Sequence, residues 1–391
     1  MISRNLQIPG GMQDTLPSEC RRKRKLKRDM LELFRLGGYM EIETPILEYY
    51  DALDDDVYGY RPTDVWKTFD SSGRILALRP DTTIPAARLA AGRLAEEPLP
   101  LRLCYIQSAN RFRSESLSML CEETQAGAEL MGESSPEADA EVIALAVQAL
   151  RQSGLKDFQV ELGQAMFFDG FMQEAGLNPE ETARIRELTE QKNPLAIQMT
   201  LKKLAVSEEV TKRLMKLPTL YGDISVLDEA EKLTEHPMCR RAIENLRRIL
   251  AILEDYGCAD AMTVDLGMVQ HASYYSGTIF RGMTASLGQP LLSGGRYDGM
   301  VSGFGRELPA VGFAVSLKLL LMALERQGEA FEKPVPDILV AFKPGCLKEA
   351  INYAREQRES GRSATLLYNT TQEEMNEKLQ RGEGKSAIYI C

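Results

Sequence analysis

Apolar residues recur along this chain in two rhythms, short runs with a period of two and longer stretches with a helical period. The first long stretch predicts a helix over 19–36, stopped by Gly37-Gly38. Residues 39–48 then read as a strand, which Pro45 confines to an edge or a strand end. Residues 49–74 are loop-like. A short strand from Ile75 stops at Pro80 and leaves Asp81, Thr82 and Thr83 at its tip. Either Asp81 or Thr82 would cap the helix expected over 84–94. Buried-strand runs follow at 101–106, 124–131 and 158–163, with a helix over 136–152 closed by Gly154. From about 167 to 257, charged helical segments such as 180–191 and 240–256 take over. The strand pattern returns at 261–267 and 273–280, and the run from Pro309 to Leu319 reads as a buried strand passing into a helix. After a linker at 329–336, the tail runs βαβαβ over 337–342, 347–359, 364–368, 371–381 and 386–390.

At 391 residues the chain is too long for one ordinary core. These textures divide it into 1–166 together with 258–328, a helical insertion at 167–257 and a small α/β C-terminal domain at 335–391. No run is long and apolar enough to span a membrane, and the N-terminus lacks the apolar core of a signal peptide. Seven scattered cysteines, never in Cys-x-x-Cys spacing, fit reduced thiols and a cytoplasmic protein. Two histidines exclude a histidine-rich metal site, and no motif around either supports a Ser-His-Asp centre. The net charge of −10 argues against a protein that lives on nucleic acid. The one dense basic run, Arg21 to Lys25 with Lys27 and Arg28, reads as a solvated helix face or subunit contact in preference to RNA binding.

Polar residues inside apolar strands mark the candidate chemistry. In the run 124–131, Gln125, Gly127 and Glu129 share one face. Burying Gln and Glu together is costly unless something polar meets them. They therefore mark a pocket, or else a buried pair bridged by water. In Leu291 to Gly299, Gly294-Gly295 permits close backbone approach, and Arg296, Tyr297 and Asp298 follow it. A glycine turn between strands is the plainer reading of that stretch. Asp81 serves as helix cap or as ligand contact. Arg111 and Arg296 are ligand contacts or internal ion-pair partners. Tyr274 and Tyr275 alternate, so one faces the core, and Tyr274 is assigned there. His271 is given no role.

In this order, the segments resemble the catalytic domain of class II aminoacyl-tRNA synthetases, specifically histidyl-tRNA synthetase, from Pro9 to about Leu320. Gly-Tyr-Met-Glu-Ile-Glu-Thr-Pro-Ile-Leu-Glu is similar to the first class II motif. Leu78-Arg-Pro-Asp-Thr-Thr83 resembles Leu-Arg-Pro-Glu-Gly-Thr, which holds the amino group of histidine. Thr124-Gln-Ala-Gly-Ala-Glu129 resembles His-Gln-Phe-Gly-Val-Glu, and Ser293-Gly-Gly-Arg-Tyr-Asp-Gly299 matches the second histidine-specific motif. The second class II motif aligns Arg111 with an arginine that contacts phosphate and the histidine carboxylate. A competing register uses Phe112-Arg-Ser-Glu115, and the spacing to Tyr105 and Gln125 favours Arg111. The resemblance implies an α+β fold, an antiparallel sheet flanked by helices. It also implies a histidine pocket in which Asp81, Thr83 and Gln125 take the ammonium. Glu129 and Tyr275 would grip the ring nitrogens, and Tyr297 would complete the wall.

The departures are equally informative. Where the family has Arg-Gly-Leu-Asp-Tyr-Tyr, this chain has Gln270-His-Ala-Ser-Tyr-Tyr275, and where the third motif ends Gly-Met-Glu-Arg it has Ser316-Leu-Lys-Leu319. The acid of the second motif becomes Arg113. Losing two cations and a positioning acid removes the charge stabilisation that adenylate formation needs. A histidine pocket without its activating machinery resembles the regulatory subunits of ATP phosphoribosyltransferase. That family implies no catalysis, no cofactor and no metal in this chain. It implies partnership with a short-form catalytic subunit in a hetero-octamer of four chains of each kind. It further implies activation of that partner and L-histidine as feedback effector at the first step of histidine biosynthesis. A homodimer is expected of a class II fold. A working histidyl-tRNA synthetase, or another histidine-sensing paralogue, is the alternative.

Overall fold

The computed structural model describes residues 7–53, 62–111, 121–191, 193–269, 274–328 and 333–391. Its strands, in chain order, begin with β1 (Met40–Glu41), β2 (Leu47–Tyr49), β3 (Lys67–Phe69) and β4 (Ile75–Leu78). Next come β5 (Leu101–Asn110), β6 (Glu122–Met131), β7 (Gln159–Gln164), β8 (Tyr221–Gly222) and β9 (Met262–Asp265). β10 (Thr278–Met283), β11 (Leu292–Arg296) and β12 (Ala310–Ser316) complete the first part, and β13 (Ile338–Phe342), β14 (Ala364–Leu367) and β15 (Ser386–Ile390) lie in the tail.

Among the described residues, nine strands form the main sheet, in the order β1-β5-β6-β12-β11-β10-β7-β9-β8. Its centre, from β5 through β7, is antiparallel throughout. Only the flanks carry parallel pairs, β1 with β5 and β7 with β9. This is the class II synthetase-like α+β fold. Both sheet faces are buried along β12 and along β6 from Thr124, which explains the near-continuous apolar sequence of β12. The helix Pro17–Leu36 turns Leu26, Met30, Leu33 and Phe34 inward, and the Phe34 ring meets Phe313 of β12 edge-on at 6.0 Å. The helix Pro237–Asp255 buries Cys239, Ala242, Ile243, Leu246, Ile249 and Leu253, a one-sided stripe at helical spacing.

Compactness divides the chain into a unit of residues 1–14 and 23–329 and a second of residues 15–22 and 330–391. Residues 167–257, expected as a helical insertion, stay inside the first unit, and β8 from that stretch joins the edge of the main sheet. The second unit holds a three-stranded parallel sheet, β14-β13-β15, with a core of Ile338, Val340, Ala350, Ala354 and Ala364.

Three expectations change. The strand expected over 39–48 is two strands in two sheets, because Pro45 cannot donate to a ladder and breaks the run. The expected loop at 49–74 contributes β3, which pairs with β4 in a small sheet. The strand expected over 273–280 begins only at Thr278, so Tyr274 and Tyr275 lie in the turn before it.

Candidate functional site

A cavity of about 420 Å³ opens beside β6, β12 and β11, within the ~300–1,000 Å³ usual for small-molecule sites. Asp81, Thr83, Arg111, Gln125, Tyr274, Tyr275 and Tyr297 all line it. Glu129 lies directly behind that wall. Gln270, His271, Arg113 and Glu115, which the motif comparison singled out, fall outside the described residues.

The wall at the start of helix Thr83–Ala91 is built by the turn that Pro80 forces. The buried Asp81 accepts the Ile84 N–H at 3.1 Å, so it caps the helix and faces the cavity at once. The helix-cap reading of Asp81 holds, and the residue also lines the cavity. Arg111 is tied to the same turn, its Nε donating to the Pro80 carbonyl at 2.9 Å. Gln125, buried in β6, donates through Nε2 to Glu123 at 3.0 Å. Among the described residues, no hydrogen-bond partner meets its buried Oε1. An unfilled buried acceptor costs about 1–3 kcal/mol unless a ligand donor meets it. Gln125, Asp81 and Thr83 line one cavity, and their side-chain oxygens suit a ligand ammonium.

Glu129 is fully buried at the centre of the sheet. Thr83 and Tyr105 each donate a hydroxyl to its Oε1 at 2.9 Å, and Tyr297 donates to its Oε2. Burial is the dominant influence and pushes the carboxyl up to about 7, against the pull of those three hydroxyls, while Asp81 pushes it further up. Burial likewise raises Tyr275 to about 12 and lifts Tyr105 and Tyr297 well above the usual phenol range. These phenols therefore remain donors throughout the physiological range.

Two glycines make this arrangement possible. Gly312 of β12 pairs with Glu129, and a Cβ there would stand 1.5 Å from Glu129 Oε2. Gly295 pairs with Gly312, and a Cβ at Gly295 would meet the Tyr275 ring at 2.6 Å. The Gly-Gly pair thus admits aromatic rings to the cavity instead of forming a turn, because it sits within β11.

Tyr274 and Tyr275 do not alternate between core and pocket. Both are partly buried and both line the cavity, their ring centroids 4.6 Å apart, because they lie in a turn where the strand period does not apply. The Tyr274 ring also meets Tyr297 edge-on at 6.2 Å. Arg296 is an internal ion-pair partner. Its Nε and Nη2 donate to Asp139 at 2.9 and 2.6 Å, and its Nη1 donates to Asp298 at 3.0 Å and to the Glu133 carbonyl at 3.1 Å.

Several lining residues escaped the sequence reading. Gln13 of the lead-in accepts from Lys318, and both line the cavity with Glu123. Met322 adds apolar lining beside Leu319, which the motif comparison had already named. The signal for the lead-in was Gly10-Gly11: Gly11 has φ of +76°, and a Cβ there would sit 2.3 Å from Cys121 Sγ in the cavity wall. Tyr105 left no signal, because its reach to Glu129 depends on strand register.

A family model described as histidyl-tRNA synthetase matches residues 11–320. An ATP phosphoribosyltransferase regulatory subunit of Acetivibrio thermocellus is 42% identical over 361 residues, 92% of this chain and 86% of the relative. A Bacillus halodurans crystal structure, described as an ATP phosphoribosyltransferase regulatory subunit/histidyl-tRNA synthetase, superposes with a TM-score of 0.89 at 33% identity, covering 100% of both chains. A histidyl-tRNA synthetase from Nostoc superposes with a TM-score of 0.81 at 20% identity, over 97% of this chain and 90% of its own, which bears on the fold alone. The chain belongs to the ATP phosphoribosyltransferase regulatory subunit family, built on the class II histidyl-tRNA synthetase fold.

Proposed function

We propose that this chain binds L-histidine in the cavity and, as a non-catalytic subunit, activates a short-form ATP phosphoribosyltransferase catalytic chain and relays histidine feedback to it. The assembly would be a hetero-octamer of four chains of each kind, with this chain dimeric through its class II fold. The observation that carries the reading is the polarity of the cavity. Gln125, Asp81 and Thr83 offer oxygens to it, and the buried Glu129 carboxylate lies directly behind Thr83 and Tyr297. An amino acid whose side chain donates an N–H suits both the lining oxygens and the carboxylate behind them. Leu319 stands at the position where the resemblance to the third class II motif would put a phosphate-gripping arginine.

The test is phosphoribosyl-ATP formation by the same organism's short-form catalytic chain, alone, with this chain, and with histidine added. Activity that rises on mixing and falls with histidine supports the reading. No change on mixing, together with histidine-dependent pyrophosphate exchange by this chain alone, overturns it. The ligand is tested separately by calorimetry. A thienyl analogue of histidine, equal in ring size and lacking N–H, leaves Glu129 unmet. It is expected to bind at least about 100-fold more weakly than histidine, since sites built for hydrogen bonds reject analogues lacking them.

A further inference from the structure

We infer that Tyr105, buried behind the cavity and lining none of it, is a positioning residue that sets how Glu129 meets an imidazole. The inference rests on the histidine-binding reading above.

The geometry begins with register. Tyr105 of β5 pairs with Gly127 of β6, two residues before Glu129 on the same face. A Cβ at Gly127 would lie 2.5 Å from the Tyr105 hydroxyl, so only glycine lets the ring lie across β6. The hydroxyl then reaches diagonally to Glu129 Oε1, the oxygen that Thr83 also bonds. Tyr105 is 0% exposed, so no water competes for that bond.

An ionised carboxylate accepts at about four lone-pair sites. Thr83 and Tyr105 occupy both sites on Oε1, and Tyr297 occupies one on Oε2. Counting donors among the described residues, a single acceptor site then remains on Oε2, the oxygen held over Gly312, which lines the cavity. Three donors therefore leave the carboxylate one vacancy, suited to one ligand N–H. Without Tyr105, Oε1 regains a free site and the carboxylate can rotate away. The other titratable groups influencing Glu129 are Asp81 before the helix, Tyr39 ahead of β1, and the cavity-lining Tyr275 and Tyr297. Arg111 acts at one remove, on Tyr275.

The test uses the full chain carrying Tyr105→Phe. The Glu129 carboxyl is titrated by infrared difference spectroscopy, its band assigned by its disappearance in Glu129→Gln. Histidine affinity is measured by calorimetry. Tyr105 favours the ionised form, so its loss is expected to move the Glu129 midpoint up by about one pH unit and to weaken histidine about tenfold. A residue that only packs would change stability and leave the midpoint in place, and an unmoved midpoint overturns the inference. If Tyr105→Phe does not fold, 3-fluorotyrosine installed at 105, a stronger donor, is expected to move the midpoint down, and no movement counts against the inference. Wild-type protein that fails to bind histidine refutes the functional reading, while the infrared midpoints still judge Tyr105.

Discussion

Glu129→Gln is expected to abolish histidine binding and, above pH 7, to make the protein more stable. The carboxyl titrates near 4.5 when unperturbed and about 7 in the fold. Below 4.5 both the folded and unfolded chains carry the proton, and the group leaves stability untouched. Between 4.5 and 7 the unfolded chain releases its proton first, so stability falls as pH rises. Above 7 the fold must hold a buried anion, at a cost of roughly 2–4 kcal/mol. Glutamine keeps one carbonyl oxygen to accept the hydroxyls of Thr83 and Tyr105, turns its amide N–H toward the Tyr297 oxygen, which can accept it, and never ionises. Denaturant midpoints should therefore coincide near pH 4.5, and the variant should gain steadily up to pH 7. Equal midpoints at pH 8 would show that Glu129 ionises in the fold without strain. Retained histidine binding would show that the carboxylate does not read the imidazole. Stability sacrificed at one buried carboxylate is what a binding site asks of its fold.

Arg296→Met should destabilise the protein by about 3–5 kcal/mol, because it strands the Asp139 carboxylate in the core. Asp139 is 1% exposed and would keep only the Thr278 hydroxyl, at 2.8 Å. Removing both charges, as Arg296→Met with Asp139→Leu, should recover most of the loss, since the pair's attraction largely offsets its desolvation. Urea unfolding of the single and double variants checks this. Histidine affinity measured on the folded single variant should stay within about twofold of wild type, because Arg296 serves Asp139 and not the cavity. A tenfold loss of affinity without a loss of stability would return Arg296 to the ligand contacts.

The sequence alone determined which strands carry the site. Polar side chains at Gln125 and Glu129 interrupt an apolar strand, and burying them is too costly to be accidental. Glycines stand where rings and a carboxylate cross the sheet, and Pro80 ends a strand where Asp81 and Thr83 are needed. Such signals survive in one dimension because each residue's cost is local. Tertiary structure alone decided the partners. Arg296 finds Asp139 across 157 positions, and Tyr105 reaches Glu129 only because β5 and β6 pair in one register. A shift of one residue would send that hydroxyl to the opposite face. Whether Tyr274 or Tyr275 faces inward could not follow from alternation, since the strand starts after both. The high pKa of Glu129 also belongs to the folded state, because desolvation exists only once the sheet closes around it.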